Sequence, residues 1–185
     1  MSVSTATTPR YIAGTWVIDP LHSFVAFSVS HLAISRVHGS FENFAGTIVT
    51  AENPIDSTIT ATIDMASITT NQPDRDAHLR TSDFFAVAEF PTMEFVSTGI
   101  HTDGVTFHID GNLTLRGVTK PLTLRGEFGG IRMDNFGQLK AGASASTTID
   151  RTDFGVSFNL ALDAGSFMVG NEIDIDLDIQ AILQP

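Results

Sequence analysis

The sequence predicts an all-β protein of antiparallel strands, closed into a barrel or folded as a sandwich, with one helix inserted. Three observations carry this. Apolar residues recur at every second position in run after run, the spacing of strands that bury one face. Turn signals such as Asn53-Pro54, His101-Thr-Asp-Gly104 and Gly129-Gly130 separate the runs. Only the stretch 71–80 carries helix-start chemistry, an Asn and a Pro followed by acids that suit the positive end of a helix dipole.

The elements follow in order. Residues 1–10 are polar, rich in Thr and Ser, and read as a flexible tail before one domain spanning 11–185. Gly14 to Ile18 is a first strand, stopped by Asp19-Pro20 because proline lacks a donor and restricts the residue before it. Phe24 to about Leu32 alternates, with Val25, Phe27, Val29 and His31 on one face and Phe24, Ala26, Ser28 and Ser30 on the other. Ser35 to Thr50 returns beside it, with Gly39 and Gly46 bracketing Phe41 and Phe44. In Ser57 to Ile68 the residues Ile59, Ala61, Ile63 and Met65 oppose a threonine face. A helix of two or three turns follows, with Asp76 and Arg80 four apart and spaced to pair. Phe90 to Ser97, Val105 to Leu115, Leu122 to Phe128, the small-residue run Leu139 to Ile149, and Asn171 to Leu183 complete the set. In the last, Ile173, Ile175, Leu177 and Ile179 oppose an acidic, solvated face.

Composition narrows the function. A net charge of −11 opposes nucleic acid and anionic lipid surfaces, both of which select basic patches. There is no cysteine, which excludes disulfides, thiolate nucleophiles and cysteine-ligated metal. No run reaches the roughly 20 apolar residues of a membrane span, so stable membrane insertion is not expected. No leader is visible at the N-terminus, and the expected address is the cytoplasm. Fourteen Phe against one Trp and one Tyr give aromatic bulk without polar handles, which suits either a dry ligand cavity or an ordinary core.

Four ordered stretches then stand out. They are His22-Ser-Phe-Val-Ala-Phe-Ser-Val-Ser-His31 with Val37-His-Gly-Ser-Phe41; Arg75-Asp-Ala-His-Leu-Arg80 with Asp83-Phe-Phe85, Phe90-Pro91 and Phe95; Gly111-Asn-Leu-Thr-Leu-Arg-Gly-Val-Thr-Lys-Pro121; and Ile149-Asp-Arg-Thr-Asp-Phe-Gly155. Together they resemble the YceI-like family of bacterial polyisoprenoid-binding proteins. The resemblance implies an extended lipocalin-like antiparallel β-barrel of about eight strands with one inserted helix. It also implies an apolar ligand in the lumen, an isoprenoid such as a polyprenyl diphosphate, a quinone or a fatty amide, held for storage or transport. Members are generally binders rather than enzymes, and paired subunits are common, so a homodimer is an expectation.

The candidate lining is Phe24 or Phe27 with Val29, together with Phe41, Phe44, Phe84, Phe85, Phe95, Phe107 and Leu113. A strand of about ten residues tilted near ~40° gives a lumen roughly 25 Å tall, room for an extended chain on the order of 20 carbons. His31 is read either as a core histidine or as a contact to a ligand head group. Arg36, Arg75 and His78 are the other polar ligand candidates; guanidinium forks suit phosphate oxygens, while the bland alternative for the 75–80 cluster is a network pinning the helix. The spacing of His22, His31 and His78 is not that of a zinc motif, and neither metal nor other cofactor is expected beyond the lipid-like ligand. No nucleophile elbow or phosphate loop appears, so no catalytic residue is assigned. The alternative is a small barrel enzyme of cyclase or dehydratase type acting on a hydrophobic metabolite.

Overall fold

The computed structural model describes residues 11–104, 106–161 and 167–185. The tail expected at 1–10 and Val105 lie outside the described residues. Eleven strands form one antiparallel sheet. They are β1 (Gly14–Ile18), β2 (Phe24–His31), β3 (Ser35–Phe41), β4 (Phe44–Thr50), β5 (Thr58–Asp64), β6 (Ile68–Thr69), β7 (Thr92–Thr102), β8 (Thr106–Leu115), β9 (Val118–Met133), β10 (Leu139–Asp150) and β11 (Val169–Leu183). Eight of them, in the order β1-β4-β5-β7-β8-β9-β10-β11, close into a barrel because β11 returns to pair with β1. Closure satisfies the edge groups that an open sheet leaves unpaired.

The other three strands exist because the chain breaks the wall three times. Asp19-Pro20 separates β1, which pairs with β11 through Ala181–Leu183, from β2, which pairs with β11 between Val169 and Asp178. Glu42-Asn43 separates β3 from β4, where a single returning strand is expected from sequence. A 3-10 turn at Met65–Ser67 separates β5 from β6. The lower half of this wall, β2-β3-β6, therefore leaves the ring as a flap.

The single α-helix among the described residues, α1 (Pro73–Arg80), packs at the end of that flap. It opens where expected: the Gln72 side chain accepts from Arg75 N at 2.6 Å, and Pro73 occupies the first turn. The expected Asp76–Arg80 pair gives way to better partners. Asp76 is buried and accepts from Thr70 N at 2.8 Å and from the Thr70 hydroxyl. Arg80 donates to the carbonyls of Ala66 (2.9 Å) and Ile68 (2.8 Å). A buried carboxylate gains more from two fixed donors than from a flexible surface pair.

The connection between β8 and β9 is a two-residue turn, Arg116 at φ 51° and Gly117 at φ 72°, tighter than the six-residue link that the sequence suggests. Two bulges then set which side chains face the lumen. One extra residue lies between Ser97 and Gly99 of β7, another between Phe128 and Gly130 of β9. Each shifts the alternation by one. Phe95 and Ile100 therefore face the same side, as do Phe128 and Ile131.

Candidate functional site: an apolar cavity in the barrel

The barrel is filled at one end and hollow at the other. At the filled end Met65, Ile68, Leu115, Phe154 and Val156 are all at most 4% exposed. Toward the other end the inward residues Ile59, Ile109, Leu122, Ile175 and Ile179 are only half-buried among the described residues. They surround a cavity of about 290 Å³. Its floor is Val25, Ile63, Met93, Phe95 and Leu113, and Tyr11, Pro54, Phe128 and Ile131 stand at its rim.

The hollow arises from side-chain size. The inward face of β10 offers Ala141, Ala143, Ala145 and Thr147, where neighbouring strands offer Ile, Leu and Phe. Each Ala meets an inward partner on β9: Ala141 with Ile131, Ala143 with Phe128, Ala145 with Gly126. Gly126 adds nothing to the wall, and a Cβ there would lie 2.8 Å from Ser144 O. On the opposite side Gly46 pairs with Ala61. Small residues on both walls leave the axis empty, and an empty apolar cavity stays dry unless an apolar guest fills it.

Polar groups at the rim are already engaged. Tyr11 donates its hydroxyl to Ala51 O (2.7 Å), and Trp16 Nε1 donates to Thr50 Oγ1 (3.0 Å). Glu127 alternates with the inward Gly126 and Phe128, and it borders an outer depression beside Arg125 and Asp178. Beside the wall, Asp19 accepts from His22 Nδ1 (2.8 Å), Leu21 N (3.1 Å) and Lys140 Nζ (3.3 Å). Burial raises the Asp19 pKa, but these donors outweigh it and hold the carboxyl below its ordinary value.

The apolar residues singled out from sequence fall into three groups. Phe44, Phe95, Phe107 and Leu113 line the cavity. Phe27, Val29, Phe41, Phe84 and Phe85 lie in or against packed regions instead: the Phe27 and Phe41 rings are 5.7 Å apart, and Phe84 is buried. Phe24 is 56% exposed and borders a depression on the outer surface with Arg125 and Asp178, because it faces away from Val25.

The polar candidates sit away from the cavity wall. His31 ends β2 opposite Ser35 and Val169. Arg36 donates to Ser28 Oγ (3.0 Å) and pairs with Asp174 on the exterior. Arg75 is spent on Thr70, donating to its hydroxyl (2.7 Å) and carbonyl (2.9 Å). His78 meets Asp83 at 2.9 Å and stacks edge-on against Phe84 and Phe158. Sequence reasoning passed over the aliphatic and small lining residues: Ile175, Leu177 and Ile179 were legible as one apolar face, but counting aromatics gave them no weight.

Comparison with known proteins agrees with this architecture. A family model described as a YceI-like domain matches residues 16–181. The chain belongs to the YceI-like family. Among relatives, a UPF0312 protein of Enterobacter sp. strain 638 is 38% identical over 181 residues, covering 96% of this chain and 91% of the relative. Protein YceI of Salmonella newport is 36% identical, covering 96% and 92%. The crystal structure of the Campylobacter jejuni YceI protein matches with TM-score 0.72 at 28% identity, over 84% of this chain and 90% of that one. Burkholderia cenocepacia BcnA, at 19% identity and TM-score 0.78, shares the fold over 88% and 98% of the two chains. The YceI-like barrel is thus the lipocalin-like fold expected from the four motifs, and those motifs meet at the filled end and the cavity floor.

Proposed function

We propose that this YceI-like protein is a binding protein that sequesters, stores or carries a lipid-like molecule of the isoprenoid, quinone or fatty-amide class in its barrel lumen. One observation carries the reading: a 290 Å³ cavity with an apolar lining, open at the rim and closed at the floor. Apolar cavities of roughly 300 Å³ and upward are the usual seats of small hydrophobic ligands. A polyisoprenoid-binding domain from Saccharophagus degradans has the same fold, at TM-score 0.70 and 15% identity. A binding role suits the lining better than a catalytic one, because its hydroxyls at Tyr11 and Thr50 are committed to the frame. No described helix is long and apolar enough to cross a membrane. The reading places the carrier in the cytoplasm, as a monomer or a pair.

Native mass spectrometry of gently purified protein tests it. The expected spectrum shows an added mass that leaves on collisional activation and returns when prenyl or acyl chains are supplied. A protein that stays empty in the presence of both kinds of chain contradicts the proposal.

A further inference from the structure

The cavity has a floor, and the floor sets a length. The lining runs from Phe107 to Leu113 on β8, from Ala141 to Thr147 on β10 and from Ile175 to Ala181 on β11, seven residues on each strand. Six steps of ~3.4 Å give about 20 Å along a strand, and a tilt near 40° leaves about 15 Å along the barrel axis. An extended carbon chain advances about 1.2 Å per bond. Beneath Phe95 and Leu113 the barrel is solid, with Met65 at 1%, Phe154 at 3% and Leu115 at 4% exposure. The Phe95 ring packs against Gly111 of β8, in space that a Cβ at that position would occupy.

We infer that the lumen is a blind, length-measuring cavity, which seats one chain of about 12 carbons tail-first against Phe95 and Leu113 and leaves its polar end at the rim. This rests on the proposed binding function and narrows it. The lumen of roughly 25 Å expected from strand length alone is cut to about 15 Å because the filled end occupies the rest. Chains longer than the floor allows extend past the rim into water and gain nothing further from burial.

A homologous series of n-alkanols from octanol to eicosanol, competed against a fluorescent naphthylamine probe, reads the length directly. Affinity should climb roughly fourfold per added methylene up to about dodecanol and then level off. The variants Phe95→Ala and Leu113→Ala should move the break toward longer chains by about three carbons, the reach of the side chain removed. Affinity that keeps climbing through eicosanol in the wild-type protein overturns the inference while leaving the carrier reading intact. Failure of both the probe and every alkanol to bind strikes the carrier reading itself. The wild-type series decides the matter even where a floor variant fails to fold.

Discussion

The ring of Phe95 lies across Gly111 on the neighbouring strand, in the space that any Cβ at that position would occupy. The two residues are tied by the sheet: Phe95 pairs with Leu113, and Ser97 pairs with Gly111. Gly111 therefore holds the floor of the cavity without touching the lumen. Gly111→Ala should displace the ring and cost about 1–3 kcal/mol through overpacking, measured by urea unfolding. An unchanged midpoint would show that the ring has room to move.

Arg151 is a buried guanidinium that binds oxygens from two segments. It donates to the carbonyls of Gly170 (2.9 Å), Val156 (2.7 Å) and Phe158 (2.9 Å). Burial lowers its pKa, with Asp150 acting in the opposite direction. Arg151→Met should strip these carbonyls of their donor and destabilise the protein by at least about 2–4 kcal/mol. Arg151→Lys should recover little, because an ammonium cannot reproduce the planar fork. Full recovery by lysine in a thermal melt would count against this account.

Acid should loosen the frame in a specific window. Asp19 is lowered as described. Asp134 is lowered by the backbone N–H of Gln138 and Phe136 and by Lys140, against a smaller opposing effect of burial. Asp150 is lowered by the hydroxyl and N–H of Thr152. A folded-state pKa below the unfolded value of ~3.9 contributes stability that is fully present above that value and lost as pH falls through the folded one. Urea midpoints should hold steady from neutrality to about pH 5 and fall below about pH 4. Asp19→Asn should flatten the fall; an equally steep fall in that variant would remove Asp19 from the explanation.

The exterior pair Arg36–Asp174 offers a control. Both side chains are about two-fifths exposed, at 41% and 44%. Such pairs contribute under about 1 kcal/mol. Arg36→Met should leave ligand affinity unchanged in the naphthylamine assay, whereas a tenfold loss would bring the outer face into the binding site.

Much of the barrel was legible because alternation is a local signal. The runs at 59–65 and 173–179 declare their inward faces residue by residue. The bulges at Thr98 and Gly129 were not legible, since an extra residue looks like any other until its partner strand is known. Polar residues of the motifs that carry the family resemblance tie the frame together, while Val25, Phe95 and Leu113 of the same stretches form the cavity floor. Asp76 and Arg80 clamp α1, Arg116 ties Ser82 to Gly155, and Arg151 anchors the start of β11. The hollow above that floor comes from the plain run of Ala and Thr on β10. An absent side chain carries no motif, and small residues show their effect only once the opposite wall is in place.

The most direct test is to fill the hollow from that wall. Ala145→Phe places a ring where Gly126 and Ala145 leave space, without adding any polar group. Isothermal titration with dodecanol should show affinity reduced more than tenfold, while the thermal midpoint stays level or rises as the void is filled. Dodecanol binding that survives the added ring at full strength would mean that the ligand sits somewhere other than the lumen.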